Sequence, residues 1–283
     1  MTEATPPTPG EIAVLAGGGV TLIGSFLDFS GDTSAWGKGL FPIVTLIPIY
    51  AAIVAAHVAI ERWSNVRLRA SAPFGLTWRH MRVALSDFAF LMAFFWQITI
   101  NDAGIGLYLM LIGTAACAVG VLMLMRDVPL ASPNSYARTG SLSPAGITLL
   151  AGAAVVFVGS FLDFWEISLD SGVATFSRGF NAWSGDLLFP VSILPVLCAL
   201  VIGIHLALAT FAKTQLPPDV SGFSWDQIYL LVAFQGLVMM VAFLIQEKFL
   251  FEVAIGFWLM LLGSIALAVG SVLHHRDVAA PAP

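Results

Sequence analysis

Charge is scarce in this sequence. Only 10% of its 283 residues are Asp, Glu, Lys or Arg, while 58% are hydrophobic. A soluble domain carries about a quarter charged residues, so the composition excludes an ordinary soluble enzyme. Disorder is excluded as well, because it needs low hydrophobicity and high net charge. Basic residues are few: twelve Lys and Arg face seventeen Asp and Glu, a net charge of −5 that excludes a nucleic-acid binder. There are two cysteines, Cys117 and Cys198, each inside an apolar run, which fits neither a disulfide framework nor a zinc site. The chain has no phosphate-binding glycine loop, HExxH, GxSxG or Cys-x-x-Cys motif. Its N-terminal tail, MTEATPPTPGE, has no Lys or Arg and so is not the basic region of a cleavable signal; the first apolar segment is expected to stay.

What the chain does have is long apolar runs. Crossing a bilayer takes about 20 mostly apolar residues. Eight stretches meet that length: 12–29, 40–60, 83–100, 105–125, 144–164, 187–211, 228–245 and 253–273. The fold class expected is an all-α polytopic membrane protein with eight transmembrane helices.

Orientation follows from where the bases collect. With the N-terminus inside, cytoplasmic segments hold Arg62, Arg67, Arg69, Arg79, Arg82, Arg126, Arg138, Lys213 and Arg276, and the opposite face holds only Lys38, Arg178 and Lys248. Both termini are therefore expected in the cytoplasm, in a plasma (inner) membrane. The Gly-, Ala- and Val-rich, lysine-poor composition resembles that of a high-GC bacterium. Nine acids against three bases give the outer face a charge near −6.

The chain also resembles itself. Residues 105–127 align without a gap onto 255–277, with twelve of 23 positions identical. GSFLDF occurs at 24–29 and 159–164, LFP at 40–42 and 188–190, and GLTW (75–78) matches GFSW (222–225). Ala35-Trp36 matches Ala182-Trp183, and His57 matches His205. A tandem duplication of a four-helix unit is expected: a first repeat at 1–127, a cytoplasmic linker at 128–143, a second repeat at 144–277 and a tail at 278–283. Four spans per unit send both copies into the membrane the same way, with a pseudo-two-fold axis along the membrane normal.

Gly106, Gly113 and Gly120 recur every seven residues, as do Gly256, Gly263 and Gly270. That period keeps one seam of small residues against a neighbour, predicting that helices one and four, and five and eight, pack closely. Pro48 and Pro195 fall deep in the second and sixth runs, where each would bend its helix and free a carbonyl.

Ionisable residues inside a membrane are functional candidates, because burying them is costly. Asp28 and Asp163 occupy the same place in GSFLDF, at the expected outer ends of helices one and five, and could share a proton or bind a cation. Asp87 has Phe234 as its counterpart and is expected to pair with Arg79 or Arg82. His57 stands four residues before Glu61 on one helix face, whereas His205 has Ala209 there. His274 and His275 are expected in the headgroup region. The outer loop 165–186 is about twice as long as its counterpart and offers Trp165, Glu166, Trp183 and Asp186 for a lipid or protein partner. No catalytic set, metal or cofactor is expected.

The expected function is that of a non-enzymatic integral membrane protein, an accessory or scaffold subunit. Its expected partners are membrane lipids and another membrane protein or complex, with no nucleic acid. The alternative is a small-solute or ion transporter or channel, with a path between the two repeats. A membrane enzyme acting on a lipid or quinone lacks any acid, base and nucleophile at one depth.

Overall fold

The computed structural model describes residues 6–37, 40–64, 76–125, 142–170, 175–184, 191–212, 217, 219–220, 223–250 and 252–279. The chain divides into two compact units, Met1–Pro129 and Leu130–Pro283. Unit 1 contains α1 (Pro9–Phe26), α2 (Leu46–Trp63), α3 (Trp78–Thr99) and α4 (Ile105–Met125). Unit 2 contains α5 (Pro144–Gly159), α6 (Leu194–Thr210), α7 (Trp225–Leu250) and α8 (Ile255–Ala279). The expected linker lies outside the described residues apart from its last two positions, as do Arg67, Arg69, Arg126 and Arg138.

Among the described residues, seven helices are long and apolar enough to cross a membrane, as a multi-pass membrane protein requires. The eighth, α5, has 16 residues and spans about 24 Å, short of about 30 Å of hydrocarbon. Its start is fixed by Ser143, whose hydroxyl accepts from Gly146 N at 3.1 Å, with Pro144 next in the first turn. In α1, Thr8 and Glu11 form a reciprocal capping box ahead of the same proline position.

The ends differ from the sequence expectation. The first and fifth apolar runs continue to Phe29 and Phe164, yet their helices stop at Phe26 and Gly159. Ser25 and Ser160 turn their hydroxyls back onto the Leu22 and Phe157 carbonyls at 2.7 and 2.6 Å. The chain then goes extended, as β1 (Asp28–Ser30) and β3 (Asp163–Asp170). Phe29 and Phe164 fold back into their own units, with 0% and 2% exposure. The apolar run outlasts the helix because these residues belong to the core.

The expected proline bends are also corrected. α2 starts at Leu46 rather than Leu40, so Pro48 sits in its first turn, and the Val44 carbonyl that it cannot engage accepts from Ile47 N at 3.1 Å. Pro195 is the second residue of α6. Neither proline interrupts an established helical ladder.

The chain is not all α. β1 pairs with β2 (Thr33–Ser34) around Gly31, whose φ of 53° suits glycine. β5 (Asp219–Val220) pairs antiparallel with β6 (Phe223–Ser224). β3 pairs antiparallel with β4 (Thr175–Asn181) and, on its other side, with β7 (Glu252–Val253), giving the order β4-β3-β7. The expected long loop is therefore largely a hairpin. Alternation in Ile167-Ser168-Leu169-Asp170 is the sequence sign of it.

Within unit 1, α1 makes its most extensive contact with α4; within unit 2, α5 does so with α8. A Cβ on Gly24 would stand 2.9 Å from the Gly106 carbonyl oxygen, and one on Gly120 would stand 2.8 Å from that of Gly10. In unit 2, a Cβ on Gly152 would meet the Gly263 oxygen at 3.0 Å, and one on Gly256 the Gly159 oxygen at 2.7 Å. By contrast, Gly19 faces open space. We predict that Gly120→Ala destabilises the protein by ~1–3 kcal/mol, a loss of several degrees in Tm. Gly19→Ala should leave Tm unchanged or raise it, since Ala favours a helix by about 1 kcal/mol. Thermal unfolding in detergent checks both; equal Tm values for the two variants would refute the close approach.

Candidate functional site

Buried ionisable groups gather where α2 ends and α3 begins. The last turns of α2 carry His57 and Glu61, one turn apart on one face, and the first turns of α3 carry Trp78, Arg79 and Arg82. Arg82 Nε donates to His57 Nδ1 at 2.7 Å, and its terminal nitrogen pairs with Glu61 Oε2. A guanidinium can only donate, so Nδ1 is the acceptor and the neutral imidazole carries its proton on Nε2. That Nε2 is buried and has no hydrogen-bond partner among the described residues. Trp78 lies against the imidazole, with ring centroids 4.8 Å apart. Arg82 and His57 are 7% and 6% exposed, so the guanidinium needs the partners it has.

This corrects two sequence expectations. His57 and Glu61 are joined through Arg82 rather than directly. Arg82 is engaged there and not with Asp87, which is five residues further on and about 140° around the helix. Beside the cluster lies a cavity of about 140 Å³. Its charged rim is Glu11, Glu61, Arg79 and Arg82, and its aliphatic wall includes Val58 of α2 and Leu124 of α4.

Unit 2 builds a different cluster at the corresponding turns. His205 stacks on Trp225 with centroids 3.4 Å apart, and its Nδ1 shares a 2.5 Å hydrogen bond with the hydroxyl of Tyr229. Tyr229 is fully buried, and its ring is 5.5 Å from that of His274. Asp226 Oδ2 meets His275 Nδ1 at 2.6 Å. His274 is buried at 8% exposure. The sequence reading missed Arg82 as the partner of His57, and missed Trp225 and Tyr229 as the partners of His205. The one available signal was that GLTW and GFSW place Arg82 and Tyr229 alike, four residues after a tryptophan.

At the opposite ends of the helices the two units repeat each other's contacts. Trp36 Nε1 donates to Ser25 Oγ at 3.0 Å, and Trp183 Nε1 donates to Ser160 Oγ at 2.9 Å. Trp36 stacks on Phe26 with centroids 5.7 Å apart, and Trp183 on Phe161 with centroids 5.6 Å apart. Trp183 is thus held by its own unit, although 36% exposed. Asp28 and Asp163 are exposed and open β1 and β3 rather than ending helices; Asp28 is in register with Ser34, and Asp163 with Asn181. Trp165, expected as a docking side chain, is 5% exposed and stacks on Phe180 with centroids 4.2 Å apart. The Arg178 guanidinium stands 4.8 Å from the centroid of that Phe180 ring. Glu166 is half-buried within the sheet, opposite Gly179 and Glu252. Asp186 lies outside the described residues.

Among the described residues, no three His, Cys, Asp or Glu side chains converge as a metal-ligand set. Comparison with protein-family models, curated proteins and solved structures finds no match to this chain. What the site can do chemically rests on its own geometry. The unit 1 cluster presents fixed charges of both signs beside an open space, and the unit 2 cluster presents a closed chain of aromatic and imidazole groups.

The two histidines make a paired test. Tyr229→Phe keeps the ring but leaves His205 Nδ1 without that hydroxyl, and should cost about 1–3 kcal/mol. Arg82→Met should cost less, because it strips His57 of its donor but also removes the buried guanidinium, and Glu61, 49% exposed, is left to water. Denaturant titration in detergent reads both values. A Tyr229→Phe variant as stable as wild type would show that the short hydrogen bond adds nothing.

Proposed function

We propose that this chain is a non-enzymatic integral membrane protein, an accessory or scaffold subunit that binds a partner complex or lipid. In this reading it is a tandem duplication of a four-helix unit. Both termini lie in the cytoplasm, and the membrane is a bacterial inner membrane. The duplication is supported by the gap-free match of 105–127 to 255–277 and by the recurring serine–tryptophan contacts of the two units. The orientation is supported by the uneven placement of Lys and Arg. It puts the histidine clusters on the cytoplasmic side and the β3–β4 hairpin outside.

The observation that carries the subunit reading is the fate of the mid-helix hydroxyls in unit 1. Thr21, Ser86 and Thr114 are fully buried, and each donates to a carbonyl of its own helix, Gly17 O, Val83 O and Met110 O, at 2.8, 3.0 and 2.8 Å. Each such hydroxyl spends its one proton within its own helix, which favours packing over a polar path. In unit 2, Ser271 does the same toward Ala268 O, and Ser264 is the buried exception. The transporter alternative also loses its bent helices, because Pro48 and Pro195 stand in first turns.

Binding of a partner is assigned to the hairpin, the largest non-helical element described. Extraction of the tagged protein in mild detergent, with mass spectrometry of what co-purifies, tests the reading. We predict a stoichiometric partner that is lost when 169–177 is replaced by a short turn, leaving the pairing of β3 with β7 intact. Asp28→Asn with Asp163→Asn should leave that assembly unchanged. A clean homo-species with no partner would overturn the subunit reading, and loss of a solute uptake in the double Asn variant would favour transport.

A further inference from the structure

The charged cavity of unit 1 is not something the four-helix arrangement demands. Extending the sequence matches through each helix puts Gly146 at the place of Glu11, Ala209 at that of Glu61, Asp226 at that of Arg79 and Tyr229 at that of Arg82. Unit 2 therefore forms its own helical unit without three of these charges and with the sign of the fourth reversed. Where α4 offers Leu124 and Met125 to the cavity, α8 has His274 and His275. The cavity of about 140 Å³ is a feature of unit 1 that needs its own reason.

Its free valences point to a ligand. Arg82 is committed to His57 and Glu61. Glu11 uses Oε2 for Thr8 N at 2.7 Å and Thr8 Oγ1 at 3.1 Å, so its Oε1 remains to accept. Arg79 is exposed and has no ion-pair partner among the described residues. The cavity thus offers one uncommitted guanidinium, whose planar fork suits a phosphate, and two carboxylates, which accept from an ammonium. A void of about 150 Å³ holds a molecule the size of benzene, so a headgroup of similar bulk fits. Leu124 and Met125, in the last turn of α4, give it an apolar side at the helix ends, where headgroups meet acyl chains.

We propose that this cavity binds a phosphoethanolamine group, carried by a zwitterionic phospholipid. Arg79 takes the phosphate, and Glu11 and Glu61 take the primary ammonium. The assignment deepens the lipid half of the proposed function and rests on the chain being a membrane protein, not on its having a protein partner. A choline headgroup has no N–H to donate, and a glycerol headgroup has no positive charge, so both are discriminated against.

Native mass spectrometry of the full chain from detergent tests it, with ethanolamine, choline and glycerol phospholipids of identical acyl chains added in turn. One ethanolamine lipid should be retained, at least about tenfold tighter than the other two, since one charge-assisted hydrogen bond is worth about that factor. Arg79→Gln and Glu11→Gln should each weaken it about tenfold, Arg79→Lys less, and Asp226→Asn in unit 2 not at all. Equal retention of the three lipids would overturn the proposal, as would wild-type titrations for folded Arg79→Gln and Glu11→Gln. Free O-phosphoethanolamine should not displace the lipid. Displacement at the lipid's own Kd would move the site to a soluble phosphoamine and overturn the lipid assignment. None of these variants touches the β3–β4 hairpin, so loss of the co-purifying partner is read independently.

Discussion

The close approach of backbones in the α1–α4 and α5–α8 pairs is the constraint on which the rest of each unit depends. Lipid tails are as apolar as leucine, so no hydrophobic push brings two helices together inside a bilayer. What remains is van der Waals contact and carbonyl-to-helix proximity, both of which fall steeply with distance. Glycines at Gly24 and Gly106, or Gly152 and Gly263, bring one helix's carbonyl oxygens to where a partner's Cβ would otherwise be. Such a seam has one register, because a shift by one residue would put a methyl or larger group against a carbonyl. With that pair fixed, the other two helices of each unit pack beside it, with apolar residues such as Ile47, Met92 and Ile202 buried and Ile23, Ile112 and Leu262 outward-facing.

Helix endings follow from the same seam. Gly106 and Gly256 lie beside the last turns of α1 and α5, close enough to approach the Asp28 and Asp163 carbonyls. The chain therefore leaves those helices hugging its neighbour and goes extended. Phe29 fills the space beside Trp96, and Phe164 does so beside Phe243 and Phe257. The tryptophan that follows each turn returns to the terminal serine. That clamp satisfies an indole N–H and caps a short helix at once, which accounts for its identical form in both units.

The helices, their approximate number and the glycine period are legible in the sequence, because they depend on local composition and on residues one or two turns apart. The exact ends are not. Phe29 and Phe164 read as the tail of a spanning run, and only the return of the chain onto α3 and α7 makes them core. The hairpin is half-legible: Ile167-Ser168-Leu169-Asp170 alternates, but its pairing with β7 joins residues more than 80 positions apart. The polar clusters are the least legible. His57 and Glu61 announce themselves by spacing, yet Arg82 is 25 residues from His57, and no period links an α2 residue to an α3 residue across a loop. Pro48 misleads for a related reason, since an apolar stretch before it, Leu40 to Thr45, reads as helix although it forms turns.

Arg82 and Tyr229 set two solutions to one problem side by side. Each gives a buried histidine Nδ1 a partner from one turn into the next helix, and each sits beneath a tryptophan that packs on the imidazole. The tyrosine does so without moving a charge out of water. The arginine carries a desolvation cost of several kcal/mol, which its contacts with His57 and Glu61 must offset. If a hydrogen-bond partner for the histidine were all that the position required, the neutral side chain would serve in both units. Retaining a charged one in unit 1, together with Glu11 and Arg79 around an open cavity, is economical only if the charges have work beyond the fold. In the proposed site that work is electrostatic, done on the phosphate and ammonium of a lipid headgroup.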